Sequence, residues 1–419
     1  IWIYLSWAIV LFGLEVTYAT QNLHNIRQNI RGSKLSFESR QFVALTVMLY
    51  LAGRFYRGEE VLALEEIAAE LELPARFLRE IMESLRRLGL VSEVSRDPLE
   101  SGYLEFRLFD PFRQELVFGK RYTGEVSDLR KMVLKFCDEM ISRLTGDFGV
   151  FNTKIAFASE TENGKALYIC DFDGENLRRV TDGGHIALSP SWSPDGRSLA
   201  YTSYKNGKPD IFVRQVASGN EKLLADHEGL NITPAWVPPD GTRLAATLSF
   251  EGDEEIYLLT DSGKVDKRLT RSWGVDVSPA FSPDGEKMAF VSGRAGSPQV
   301  YVMNLESGRT SRLTFEGRYN TQPAWSPRGD RIAYSSMNGG GSDIFIVNAD
   351  GSGIRQLTRD SGKNESPAWS PDGNMIVFSS TRKGDASIYV MTASGSDQRP
   401  LVDMPGNQSL PAWSPVGDP

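Results

Sequence analysis

Histidine and cysteine are scarce in this 419-residue chain: it has three histidines (His24, His185, His227) and two cysteines (Cys137, Cys170). Two cysteines cannot build a disulfide framework. Three histidines, none in an HExxH or CxxC…H pattern, leave no zinc-hydrolase motif. No G-x-S-x-G elbow, P-loop or Rossmann glycine pattern occurs either. An excess of positive charge is missing too. The net charge is −8, which argues against a nucleic-acid protein overall. Beyond the first twenty residues there is no long apolar run, which excludes a polytopic membrane protein. Hydrophobic residues at 40% and charged residues at 24% are ordinary for a globular chain. What abounds is turn formers, 39 Gly and 21 Pro. At about 150 residues per domain, the length alone suggests roughly three domains.

The exception opens the chain. IWIYLSWAIVLFGLEVTYAT carries Glu15 as its single charge and is just long enough to span a bilayer. It has no basic n-region or small-residue cleavage site, so it reads as the end of a transmembrane helix (1–20) rather than a signal peptide. Arg27, Arg31, Lys34 and Arg40 mark a basic linker (21–39), which the positive-inside rule places in the cytoplasm.

Residues 40–97 read as a winged-helix-like unit. Leu64–Leu73 is a short helix, and Pro74 opens a second one whose stripe is Phe77, Leu78, Ile81, Leu85 and Leu88. Gly89 stops it before a wing strand, LVSEV. Arg76, Arg79, Arg86 and Arg87 on this helix are the candidate DNA contacts. Glu80, Glu83 and the surrounding glutamates oppose a phosphate-binding stripe, so nucleic acid is the minor expectation. A terminal membrane helix, a basic linker and a winged helix together resemble the C-terminal end of YihY/BrkB-type inner-membrane proteins.

Residues 98–150 read as part of an α/β domain. YLEFRLFD and ELVFGKRYTG alternate as two half-buried strands, and SDLRKMVLKFCDEMISRLTG follows as a helix. Ser127 is placed to cap that helix and Gly146 to stop it. Leu129, Val133, Phe136, Met140 and Leu144 form its apolar face, with Cys137 a buried, inert thiol.

From residue 151 the chain repeats. A Pro-Ala-Trp-Ser-Pro element places its aromatic at Trp192, Trp236, Phe281, Trp325, Trp369 and Trp413, at spacings of 44, 45, 44, 44 and 44. Ile-Ala-Phe-x-Ser, Ile-Tyr-Val-Met and Arg-x-Leu-Thr elements also recur six times. Four short strands per unit, separated by Asp-Gly turns, predict a six-bladed β-propeller over 151–419 in a mainly β chain. The first Ile-Ala-Phe strand has no Trp strand before it, and the last Trp strand has no partner after it. The C-terminal strand therefore belongs in the first blade, against Ile155–Ser159.

The catalytic inventory is empty, so no enzyme, catalytic residue, metal or cofactor is expected. DFDGEN (Asp171–Asn176) occupies a turn position and lacks the ligands of a calcium loop. A propeller without chemistry is a binding platform, with its function in the loops. The loops entering each Trp strand differ where the strands do not. His185, Asn231, Trp273, Asp276, Tyr319, Asn320, Asn364, Glu365 and Asn407 on them are the candidate partner contacts.

The motifs FRLFDPFRQELVFGKRYTG, DLRKMVLKFCDEMISRLTG and GVFNTKIAFAS, followed by six PAWSPDG…IAF…IYVM…RLT units and a terminal PAWSP, resemble the TolB family. That resemblance implies a periplasmic, non-enzymatic propeller. It implies binding of a Pal-type peptidoglycan-associated lipoprotein, with roles in outer-membrane integrity, cell division and bacteriocin import. The segment with which that family binds TolA is replaced here by the membrane helix and winged helix, which puts TolA binding in doubt. The basic flank points to the cytoplasm and the family to the periplasm. The chain is then either a genuine fusion or two genes joined near Asp97–Tyr103, and the second fits a join that cuts through a domain. Two other readings stand beside the docking platform. One is a membrane-tethered regulator whose winged helix binds DNA, and the other is a peptidase-associated or sugar-binding propeller.

Overall fold

The computed structural model describes residues 64–70, 76, 78–79, 103–110, 115–123, 128–338, 340–359 and 361–416. The chain divides into two compact units at Gly149–Val150. The expected membrane helix (1–20), the basic linker and most of the winged-helix unit lie outside the described residues. Among the described residues, no helix is long and apolar enough to cross a membrane.

In the first unit, α1 (Leu64–Glu70) is the expected short helix, with Ile67 and Ala68 buried. Strands β1 (Tyr103–Asp110) and β2 (Glu115–Thr123) pair antiparallel, with a register shift after Leu108. Helix α2 (Leu129–Thr145) buries Met132, Phe136, Cys137 and Met140, one stripe at helical spacing. Phe136 stacks on Phe118 of β2, with ring centroids 5.3 Å apart. Burial pushes the Cys137 thiol well up, which keeps it an unreactive thiol. Gly146 ends the helix in the left-handed region (φ 79°), donating its N–H to the Ser142 carbonyl. At the N-terminus Asp128 precedes the first helical residue and its side chain makes no capping bond, while the expected cap, Ser127, lies outside the described residues.

The second unit is a six-bladed propeller of four-stranded antiparallel sheets. Blade 1 contains β3 (Lys154–Thr161), β4 (Gly164–Asp171) and β5 (Arg178–Arg179). Blade 2 is β6 (Ala187–Trp192), β7 (Ser198–Ser203), β8 (Asp210–Gln215) and β9 (Glu221–Ala225). Blade 3 is β10 (Asn231–Trp236), β11 (Leu244–Leu248), β12 (Glu255–Leu259) and β13 (Val265–Arg268). Blade 4 is β14 (Asp276–Phe281), β15 (Lys287–Ser292), β16 (Gln299–Asn304) and β17 (Thr310–Arg312). Blade 5 is β18 (Tyr319–Trp325), β19 (Arg331–Asn338), β20 (Gly341–Asn348) and β21 (Arg355–Gln356). Blade 6 is β22 (Asn364–Trp369), β23 (Met375–Ser380), β24 (Ser387–Thr392) and β25 (Arg399–Pro400). The last strand, β26 (Gln408–Trp413), pairs with β3 through Gln408–Ser159 and Trp413–Ile155. It completes blade 1 and closes the ring as the unmatched repeat elements predict.

Each repeat motif has a physical job. The second and third strands of each blade are the apolar Ile-Ala-Phe and Ile-Tyr-Val-Met elements, buried on both faces because neighbouring blades cover them. Six apolar clusters result, one at each blade-to-blade junction. The Trp strands pack on one another all the way round and form the inner ring. Trp192, Trp236 and Trp369 donate Nε1–H to inner-strand carbonyls of the preceding blade, at Ala412, Ser191 and Ala324 (3.0–3.2 Å). That bond is why a buried indole suits this position better than a purely apolar ring. The threonine of Arg-x-Leu-Thr accepts the N–H of the third strand: Leu167 to Thr181, Ile256 to Thr270, Val300 to Thr314, Ile344 to Thr358. Blade 6 has Val402 there, and the Gln408 side chain accepts from Ile388 instead (3.1 Å).

The six inner strands share a backbone feature that their side chains do not announce. Ser189, Thr233, Ser278, Gln322, Ser366 and Leu410, all preceding a proline in the six inner strands, have φ between 48° and 56°. Non-glycine residues seldom adopt that region. Each one produces a bulge at which the inner strand shifts register against its neighbour. Their N–H groups turn sideways to the preceding blade where a partner is seen: Thr233 to the Thr202 hydroxyl, Ser366 to Gln322 and Ser335.

Candidate functional site: one loop face of the propeller

The six loops entering the inner strands share a face with the hairpins that join second and third strands. Each such loop bonds to the hairpin of its own blade, as in Ser249 N–H to the Leu230 carbonyl and Gly293 N–H to the Val275 carbonyl. The following inner strand also bonds to the hairpin of the preceding blade: Asn231 to Pro209, Asp276 to Glu254, Asn320 to Pro298, Gln408 to Ala386. Held from both sides, these loops form a rigid rim around the mouth of the inner ring.

The nine expected contact residues separate into two groups. Asn231, Asp276, Asn320 and Asn364 are fully buried, and this corrects their assignment as surface contacts. They stand first in their inner strands, or second in the case of Asn320, and the three asparagines staple the loop before them. Asn231 donates to the His227 carbonyl (2.7 Å) and Asn320 to the Glu316 carbonyl (2.6 Å). Asn364 donates to the Asp343 carboxylate (3.1 Å) and receives Arg382 (3.0 Å). Asn407 is also a staple, accepting Ala386 N–H (2.8 Å) and donating to Glu160 (2.8 Å) across the closing blade. A signal for this role was present in the sequence. The four buried residues stand at one fixed repeat position, as core residues do.

His185, Trp273, Tyr319 and Glu365 remain on the accessible rim. Trp273 is 95% exposed. Its turn is closed by Ser272, whose hydroxyl donates to the Gly274 carbonyl (2.8 Å). Tyr319 is 38% exposed, with the Arg318 guanidinium over its ring at 5.8 Å. Sequence reasoning missed Val275, Phe315 and Met337, which are exposed near these two in the chain or across the strand pair. Phe315 lies under the Arg312 guanidinium at 5.0 Å. Glu365 is half-buried and accepts the Ser342 hydroxyl (2.7 Å). His185 is exposed, and its carbonyl accepts Lys165 N–H. Exposed aromatics beside arginines on a rigid rim are the composition of protein-binding anchors.

The DNA-contact residues are only partly described. Arg76 and Arg79 lie on helical backbone, and Arg79 pairs with Glu65 at 3.0 Å. Arg86 and Arg87 lie outside the described residues. DFDGEN is a turn: Lys154 and Asn176 occupy the Asp171 carboxylate, and Asn176 takes φ 54°. Among the described residues, no three of His, Cys, Asp and Glu come together as a metal site would require.

Comparison with known proteins agrees with this architecture. The model of the PD40 family, the TolB beta propeller domain, matches residues 141–417. The Tol-Pal system protein TolB of Desulfosudis oleivorans is 54% identical over 171 residues, 41% of this chain and 39% of the relative. A protein TolB homolog of Chlorobium chlorochromatii is 50% identical over 179 residues, 43% of this chain and 40% of the relative. The chain thus spans about two fifths of the length of these curated relatives. The crystal structure of TolB from Acinetobacter baumannii is 28% identical, with a TM-score of 0.68 over 75% of this chain and 83% of that one. With a six-bladed ring in place and a family match over well over half its length, the chain belongs to the TolB β-propeller domain family.

Proposed function

We propose that this propeller is a non-enzymatic, periplasmic docking platform of the Tol–Pal type. Its partner is a Pal-like peptidoglycan-associated lipoprotein that seats on the rim between blades 3 and 5. The observation that carries this reading is Trp273, 95% exposed on a turn held by its own hydrogen bonds. An indole held in water exposes a large apolar area, and preorganisation lowers the entropy cost of docking. Tyr319 and Phe315, each with an arginine over its ring, extend the surface. The family likeness supports roles in outer-membrane integrity, cell division and bacteriocin import. Residues 1–97 are read as the tail of a YihY/BrkB-type inner-membrane protein joined to this propeller, anchored through residues 1–20 if the join is genuine.

Titration of the full chain with a soluble Pal-type domain tests the reading. Trp273→Ala should weaken binding by about tenfold or more, as truncating an interface anchor does, with unchanged melting temperature. Equal affinity for the wild type and a Trp273→Ala/Tyr319→Ala variant would refute it.

A further inference from the structure

Two buried acids meet at the junction of blades 3 and 4. Glu255 opens β12 and Asp276 opens β14, and both are fully buried. Asp276 N–H donates to the carbonyl of Glu254 (2.8 Å), which sets the two acids side by side. The equivalent pairs at the other junctions hold at most one carboxylate: Asp210 with Asn231, Gln299 with Asn320, Asp343 with Asn364, Ser387 with Gln408, Ala166 with Ala187. Glu255 Oε2 and Asp276 Oδ1 have no hydrogen-bond partner. An orphaned buried carboxylate oxygen is costly and needs an occupant.

The groups facing the pair come from every neighbouring element. Arg268 of β13 reaches Glu255 Oε1 (3.2 Å) and also pairs with Glu251, before β12. Arg294, after β15, reaches Asp276 Oδ2 (2.7 Å), and the Ser292 hydroxyl accepts from Arg294 Nε beside it. Tyr257 of β12 and Tyr301 of β16 carry the two guanidiniums on their rings, at 5.6 and 5.0 Å. Two guanidiniums already balance two carboxylates, so a metal cation gains little here. A proton is the occupant that satisfies the orphan oxygens. Burial raises the Asp276 carboxyl above its ordinary range; the charge of Glu255 adds to this, while Ser292 and Arg294 oppose it.

The pair is wired to the docking rim. Glu255 Oε1 also accepts the N–H of Ser272 (2.7 Å), the residue before Trp273. We propose that Glu255 and Asp276 form a proton-operated latch on the Trp273 turn. With one proton on the pair, Glu255 stays on Ser272 and the turn is held. With both acids ionised, their repulsion loosens Glu255 and frees the turn. The consequence for docking rests on the function proposed above, but the latch is a property of the chain alone.

Hydrogen exchange of the 271–275 amides tests it, on the full chain without partner, from about pH 5 to about pH 8 and normalised to intrinsic rates. Wild-type protection should fall as pH rises, by about tenfold for each pK unit by which the held turn binds the proton more tightly than the open one. Asp276→Asn, which copies the Asn364–Arg382 arrangement, should hold protection high and flat. Glu255→Gln should give the same flat profile and serves if the first variant folds poorly. A wild type whose profile matches that of Asp276→Asn overturns the latch while leaving the docking reading intact. Failure to bind a Pal-type domain overturns docking and leaves the latch.

Discussion

The junctions before blade 4 and before blade 6 share one arginine arrangement and differ in the charge of the inner-strand residue that receives it. In each, an arginine after the second strand lies against a Phe–Tyr pair: Arg294 with Phe290 and Tyr301, Arg382 with Phe378 and Tyr389. Each reaches the first residue of its inner strand, Asp276 or Asn364, and the serine two positions before itself. At the second junction the acceptor is a neutral amide, and the one acid, the half-buried Asp343, is satisfied by Thr358, Gln356 and Asn364. At the first, the acceptor is a second carboxylate, and two oxygens are left over. The repeat thus fixes geometry while leaving charge free to vary, and a site-specific property can arise without any change in fold.

The largest effect on this comparison comes from removing a junction altogether. Deleting residues 408–419 takes β26 from blade 1 and opens the ring on both of its sides. Thermal unfolding should then lose its single cooperative transition or fall by well over about 10 °C, several times the shift of one ordinary mutation. Unchanged unfolding would contradict closure through the C-terminal strand.

Next come the two arginines. Arg294→Leu leaves Asp276 buried with no cation and should cost about 2–3 kcal/mol at neutral pH, less than a fully desolvated pair because the arginine is partly exposed. Arg382→Leu strands only a neutral amide and should cost about 1 kcal/mol. Denaturant unfolding of both variants decides it, and equal losses would show that the carboxylate does not set the difference.

Asp276→Asn is subtler and has a sign. The folded chain holds the Asp276 proton to higher pH than the unfolded chain does. Between the ordinary carboxyl range and that raised value the folded state binds more protons, so stability falls as pH rises through the window. The asparagine variant removes this term. It should melt higher than wild type at neutral pH and converge with it in acid, whereas a gap that widens in acid would reverse the assignment. The smallest effect belongs to Trp369→Phe, which loses one bond to the Ala324 carbonyl and should cost about 1 kcal/mol by the same assay.

Much of this architecture could be read before the structure. The 44-residue spacing of the aromatics and the unmatched strand elements at both ends specified six blades and their closure, because each blade must bury both faces. The ring of left-handed residues could not be read. Four of the six are hydroxyl residues but Gln322 and Leu410 are not, and a residue before proline is ordinarily expected to be extended. On the rim, Trp273 and Tyr319 stood out because aromatics in turn-rich loops have no repeat-imposed core role. Asn231, Asn320 and Asn364 were misread because polarity was taken for exposure. Their side chains satisfy loop carbonyls that a packed rim would otherwise strand.

The central claim is that the rim around Trp273 is a protein-docking surface. Calorimetric titration of a Pal-type domain into the wild-type chain and into Trp273→Ala tests it directly. The account predicts saturable binding by the wild type and a loss of about tenfold or more in the variant, at equal thermal stability. Wild-type and variant curves that superimpose, or no binding by the wild type at micromolar concentration, would contradict it.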